Sequence, residues 1–388
     1  MKKFLDCISI VGATPSKFHG TKKYVSTGAV ATTEINESEV VEVTYEDRPS
    51  RANLSAEAGD ILFAKMQGTR KTLLLDSETE KNIYSTGFYA VRANPEVITT
   101  ECLYYLIDSE LFLAQKDKNC SGATQKAITN GGMAKIEISV PALSEQGILV
   151  DKLKHLTQLI ADKKKQLNLF DEIIKSRFIE MFGDPNSNEK GWTVSTLGEY
   201  MTLLTDFSAN GSYELLDSNV VMYDEPNYAV MVRTTDLEAG NLTDGVKYID
   251  QTAYELLSKS KLYGGELIMN KIGSAGKIYI MPQIDKPASL GRNAFMFRFD
   301  DRINMVYLYA LLSSDYGTKE IQQYVRGAVT KTITKESTRS IRVIVPPIEL
   351  QWQFAAFVEQ VDKSKFAVQQ TLDKAQLLFD SLMQKYFG

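Results

Sequence analysis

At 388 residues the chain exceeds the span of a single hydrophobic core, and 44% hydrophobic with 24% charged residues is globular composition, not that of a disordered, fibrous or membrane-embedded chain. A formal net charge of −5 excludes a uniformly basic surface, though not one basic face for a polyanion. Cys7, Cys102 and Cys120 form no CxxC pair, which argues against a disulfide framework or structural zinc and for a reducing, cytoplasmic setting.

The opening MKKFLDCISIVG is charged, but Asp6 breaks its apolar run too early for a signal peptide, and no stretch approaches ~18 apolar residues, so no membrane partner is expected. Residues 1–141 read as a mixed lobe, with a β-rich run at Asp60–Ala64 and a helical run at 100–116. From Pro141 the chain enters a helical segment, 142–186, for which Ser144 is the expected N-cap; no glycine occurs between Ile148 and Phe182. Leu153, Leu156, Ile160, Lys163, Leu167, Phe170, Ile174, Arg177 and Met181 alternate at spacings of three and four, a heptad seam interrupted by two cations. A second mixed lobe follows over 187–346, with β-rich runs at Gly276–Met281 and Ala294–Phe299 and a helical run at 303–324. Residues 347–388 form a second long helix with the seam Val358, Val361, Lys365, Val368, Leu372, Ala375, Phe379, Leu382 and Tyr386. The three seam cations predict helices that also receive partner helices along their flanks.

The chain is written twice. GATQKAIT at 122–129 returns as GAVTKTIT at 327–334, and the same offset of 205 pairs Val140-Pro141 with Val345-Pro346 and Phe182-Gly183 with Phe387-Gly388. GDILFAK (59–65) resembles GELIMNK (265–271), and Phe88–Arg92 resembles Ala294–Arg298. The predicted fold is α+β: two pseudo-symmetric mixed α/β lobes separated by two long helices that pair as an antiparallel coiled coil. At ~1.5 Å per residue each helix would rise roughly 57 Å.

Catalytic signatures are missing. There is no GxGxxG after a strand, no HExxH and no GxSxG, and GTRKT at 68–72 lacks the upstream glycine of a phosphate loop. The two histidines, His19 and His155, stand apart from any ligand set, so neither a catalytic residue nor a metal site is expected. Asp224-Glu-Pro-Asn-Tyr resembles the Asp/Asn-Pro-Pro-aromatic motif of amino-methyltransferases but lacks its second proline.

LFDEIIKSRFIEMFGDP (169–185) followed by GWTVSTLGEY (191–200) resembles the central conserved region of type I restriction-modification specificity subunits. So do the proline-led helix starts VPALSEQ (140–146) and VPPIELQ (345–351), the element Gly12-Ala-Thr-Pro-Ser-Lys17, and the motifs GDILFAKM, STGFYAV and GATQKAI. The second lobe resembles a different recognition-domain type, through Asn210-Gly-Ser, Arg233-Thr-Thr-Asp236, Gly264-Gly-Glu-Leu and Leu290-Gly-Arg-Asn293. The resemblance implies two target-recognition domains, each reading one half of a split, asymmetric duplex sequence. It implies helices that set the gap and dock two methyltransferase (modification) subunits, with restriction/translocase subunits completing the complex. S-adenosylmethionine, ATP and magnesium would sit on those partners, with no cofactor in this chain. Rival readings are a self-contained methyltransferase or nuclease and a coiled-coil protein scaffold.

Major-groove reading favours Arg or Lys on guanine and Asn or Gln on adenine, with Ser and Thr assisting. In the first lobe this selects Thr14, Ser16, Lys17, Lys65, Gln67, Arg70, Lys71, Thr124, Gln125 and Lys126. In the second it selects Arg233, Thr234, Lys271, Lys277, Arg292, Asn293, Arg326, Thr330 and Lys331. The GATQKAIT and GAVTKTIT loops occur in both lobes, so they are expected to grip phosphate or shape the lobe, with Gly122 and Gly327 serving backbone geometry.

Overall fold

A computed structural model describes all residues, Met1–Gly388. The first lobe contains β1 (Lys2–Lys3), β2 (Ile8–Val11), β3 (Lys22–Val25), β4 (Val41–Val43), β5 (Ala52–Leu54), β6 (Ile61–Ala64), β7 (Thr72–Leu74), β8 (Ile83–Ser85) and β9 (Phe88–Ala93). Helices α1 (Thr100–Ile107), α2 (Glu110–Lys118) and α3 (Asn130–Met133), strand β10 (Glu137–Ile138) and the long helix α4 (Leu143–Phe182) follow. The second lobe runs β11 (Thr193–Thr196), β12 (Met201–Asp206), α5 (Tyr213–Asn219), β13 (Ala229–Val232), α6 (Thr234–Ala239), β14 (Lys247–Ile249), α7 (Gln251–Leu256), β15 (Lys261–Leu262), β16 (Leu267–Asn270), β17 (Ile278–Ile280), β18 (Ala288–Leu290) and β19 (Ala294–Phe299). It ends in α8 (Met305–Ser313), α9 (Asp315–Gln322), α10 (Lys335–Arg339), β20 (Arg342–Val345) and the long helix α11 (Ile348–Phe387).

Strand order is the same in both lobes. The first has sheets β2-β9-β6-β7 and β4-β3-β8-β5 with a small β1-β10 pair; the second has β12-β19-β16-β17, β14-β13-β18-β15 and β11-β20. Even the single parallel pairing recurs, β3 with β8 and β13 with β18. The sequence divergence of the second lobe therefore lies in side chains and inserted segments such as α5, not in topology.

Central strands explain the apolar motifs. In β6, Leu62 and Ala64 face a core between the two sheets with Val25, Tyr84 and Phe88, while Ile61 and Phe63 face a helical layer with Leu103, Phe112 and Leu153. In β16, Ile268 takes the inter-sheet side, and Leu267 and Met269 the helical side. A strand buried on both faces loses its polar alternation. The acidic residue that begins each motif is buried and paired: Asp60 accepts Arg92 at 2.7 Å, and Glu266 accepts Arg298 at 2.9 Å.

Two helical runs differ from expectation. Residues 100–116 and 303–324 each form two helices, because Ser109 and Ser314 accept the backbone N–H groups of Phe112 and Gly317 and cap a new start. Ser144 is not an N-cap, since α4 already begins at Leu143. A buried amide secures that start: Gln146 accepts the Thr99 N–H at 2.8 Å and donates to the Val97 and Pro141 carbonyls. Gln351 does the same at α11, accepting the Asn304 N–H and donating to the Pro346 carbonyl.

The long helices pack together in antiparallel sense, and neither forms a compact unit of its own. One unit comprises 1–166 with 368–388, the other 167–367. In the first, Leu149, Val150 and Leu153 of α4 share a core with Met383 and Phe387 of α11, flanked by Phe379, Leu382 and Tyr386. In the second, Phe178 and Phe182 of α4 meet Phe354 of α11, flanked by Ile174, Met181 and Val358. Every residue of the two predicted seams is buried or half-buried. Two of the three seam cations pair across the seam: Lys365 binds Asp171 at 2.7 Å, and the Arg177 guanidinium lies 5.6 Å from the Phe357 ring centre. Lys163 binds Gln166 of its own helix.

Candidate nucleic-acid interface

Each lobe gathers its cations where β6 or β16 ends. Lys65 follows β6, its N–H donating to the Gly87 carbonyl; Lys271 follows β16, its N–H donating to Asn293. The hairpins bearing GATQKAIT and GAVTKTIT dock beside them: Gln67 N–H donates to Lys126 O, and Gly273 N–H to Lys331 O. Gly122 (φ +138°) and Gly327 (φ +105°) close these hairpins, and a Cβ at either would collide with the Gln125 or Thr330 carbonyl. Thr124, Gln125, Lys126, Thr330 and Lys331 are exposed on the loops.

The remaining candidates divide by how they are held. In the first lobe Lys65 donates to Thr86 O at 2.9 Å and lies 4.3 Å from the Tyr89 ring centre, so its ammonium is desolvated and its pKa drops below the usual lysine range. Lys71 donates to Thr27 O at 2.6 Å. Gln67 reaches the Asp117 carbonyl. Thr14, Ser16 and Lys17 are exposed in the loop after β2, with Lys17 loosely paired to Glu46 at 3.6 Å. Arg70 turns elsewhere: its fork binds Asp108 between α1 and α2 with bonds of 3.0 and 2.8 Å.

In the second lobe four of the six candidate cations hold a carboxylate. Arg233 forks onto Asp236 at the start of α6, where Thr234 is half-buried. Lys277 pairs with Glu238, and Arg292 reaches Asp217 of α5 at 3.2 Å while lying 5.1 Å from the Phe207 ring centre. Asn293 is exposed. Arg326 donates to the Gln323 and Val325 carbonyls.

Sequence reading missed Lys335, which joins Lys271 in clamping Asp206 at 2.7 and 2.8 Å. Burial pulls the Asp206 pKa upward, but the hydrogen bonds from both lysines outweigh it and hold the carboxyl below the usual range. Because the folded value is depressed, this contribution is complete above the unfolded value of about 3.9 and is lost as pH falls through the folded one. Urea unfolding from pH 6 to 3 should show Asp206→Asn to be less stable than wild type at the upper end, with the gap closing at the lower. A gap independent of pH would remove the clamp as its cause.

The residues 9–169 and 189–376 each match the model of one family, the type I restriction modification DNA specificity domain. The chain belongs to that family. It is a type I restriction-modification specificity subunit with two target-recognition domains. It is similar to the MjaIX specificity subunit of Methanocaldococcus jannaschii, 22% identical over 331 residues, covering 77% of this chain and 74% of that one. It is also similar to the HindI specificity subunit of Haemophilus influenzae, 22% identical over 165 residues, covering 42% of this chain and 35% of that one. Its fold is that of the type I S subunit from M. genitalium (TM-score 0.59, 14% identity, covering 100% of this chain and 95% of that one). A chain from a type I R-M complex-assembly structure gives a TM-score of 0.54 at 19% identity, covering 98% of this chain and 97% of that one. No helix of this family member is long and apolar enough to cross a membrane.

Proposed function

We propose that each lobe of this specificity subunit reads one half of a bipartite, asymmetric DNA target, while the long helices set the spacing and dock two methyltransferase subunits. One observation carries the reading: equivalent positions keep their cations and change their neighbours. Lys65, Lys71 and Lys126 correspond to Lys271, Lys277 and Lys331, but Thr86-Gly87 becomes Arg292-Asn293 and Ser26-Thr27 becomes Arg233-Thr234. Shared cations suit phosphate, which carries no sequence, and divergent side chains suit base edges, which do. Helices of 40 residues rise roughly 60 Å, on the scale of successive duplex turns of ~34 Å. Catalysis would belong to the partners: S-adenosylmethionine on the methyltransferase subunits, ATP and magnesium on restriction/translocase subunits.

Adenine methylation mapped on random duplexes, with the chain assembled with its methyltransferase partner, tests this. Arg292→Ala should relax one half-site only, by about 1–3 kcal/mol if Arg292 reads a base. Lys126→Ala should weaken binding on all sequences and flatten its salt dependence. A continuous palindromic target, or equal loss on every sequence for Arg292→Ala, would contradict the assignment.

A further inference from the structure

In the second lobe β16 reads Leu267-Ile268-Met269-Asn270 and is buried throughout. Asn270 interrupts an apolar strand, and its counterpart in the first lobe is Ala64. It is 5% exposed, yet its Oδ1 has no hydrogen-bond partner. Its neighbour Tyr279 on β17 is 9% exposed, and its hydroxyl stands among the side chains of Asn270, Lys277 and Glu238. The first lobe has Leu73 in the place of Tyr279. A buried acceptor without a donor is destabilising, so the Asn270 Oδ1, at a position where the other copy has alanine, calls for a donor from outside the lobe.

Their location supplies one. Asn270 precedes Lys271, pairs with Ala294 just beyond Arg292-Asn293, and donates its backbone N–H to Lys277 O at 2.9 Å. Lys277 spans the site: its Nζ lies 5.9 Å from the Tyr279 ring centre and pairs with Glu238 of α6. That ion pair is about half exposed on both sides, and solvent-exposed pairs contribute little, so a phosphate can take the lysine from it.

We propose that Asn270, backed by Tyr279, reads a base in the half-site of the second lobe, and that the Lys277–Glu238 pair covers it until backbone phosphate draws Lys277 away. Adenine fits the amide, with Oδ1 accepting from the N6 amino group and Nδ2 donating to N7. The inference rests on the reading that the second lobe binds duplex DNA. Ala64 and Leu73 offer no such groups, so the effect is confined to one half-site.

The test maps methylation on random duplexes with the chain assembled with its methyltransferase subunits. Asn270→Ala and Asn270→Val should each cost about tenfold or more in preference for adenine at one position of that half-site, leaving the other half-site unchanged. Both variants should remain folded, because Ala64 builds the same strand in the first lobe. Glu238→Gln should raise affinity for all duplexes with base preference intact. Unchanged preference in the folded Asn270 variants overturns the reading residue, and unchanged affinity in Glu238→Gln overturns the cover. Two sequence-dependent half-sites with neutral Asn270 variants defeat this proposal alone; a single such half-site in the wild type defeats the recognition reading with it.

Discussion

Phe182→Ala should destabilise the second unit by about 3–5 kcal/mol, the range for truncating a buried phenylalanine. The ring is 3% exposed and makes edge contacts with Tyr307 at 4.7 Å and Phe354 at 5.6 Å, and a tilted contact with Phe178 at 5.0 Å. Phe387, its counterpart in the duplication, is 2% exposed in the core of the first unit, so Phe387→Ala should damage that unit to a similar extent. Each copy's helix thus ends in the core that holds the other copy's lobe. Amide exchange separates the two effects: protection should fall in β16 and β19 for Phe182→Ala, and in β6 and β9 for Phe387→Ala. Losses confined to the helix ends, with the sheets unaffected, would show that these rings are not part of the lobe cores.

Lys116→Met is expected to cost the first lobe about 3 kcal/mol and to loosen its half of DNA recognition. Lys116 is 1% exposed, and its ammonium donates to the carbonyls of Thr69 at 2.6 Å, Met66 at 3.2 Å and Ala64 at 3.5 Å. Burial lowers its pKa, with Asp117 pulling the other way. Methionine keeps the stem and removes the donor, leaving three carbonyls without it beneath the loop that carries Gln67. Thermal unfolding reads the first effect and half-site preference the second. A variant as stable as wild type would mean that water replaces the ammonium.

The duplication was legible because both copies solve the same packing problem. Apolar runs such as Ile61–Ala64 and Leu267–Met269 recur where a strand is buried on both faces, and the heptad seams recur where two helices meet. The proline-led helix starts were visible as well, but not that Gln146 and Gln351 hold them, since a glutamine carries no mark of burial in a linear sequence. Polar pairings were the least legible. Arg70 and Lys71 are adjacent, yet one binds Asp108, 38 positions on, and the other Thr27, 44 positions back. Choosing between them requires knowing which carboxylates and carbonyls the fold brings near.

Local periodicity, turn chemistry and self-similarity determined by themselves that there would be two α+β lobes and two long helices, because these depend on residues a few positions apart and on a repeat offset. Only the tertiary structure decided which lobe each helix end enters and which cations are already held by carboxylates. It alone left the Asn270 Oδ1 without a partner in one copy while alanine fills the same place in the other. Those outcomes come from long-range geometry, where one or two ångströms separate a hydrogen bond from an orphaned atom and no residue spacing encodes the difference.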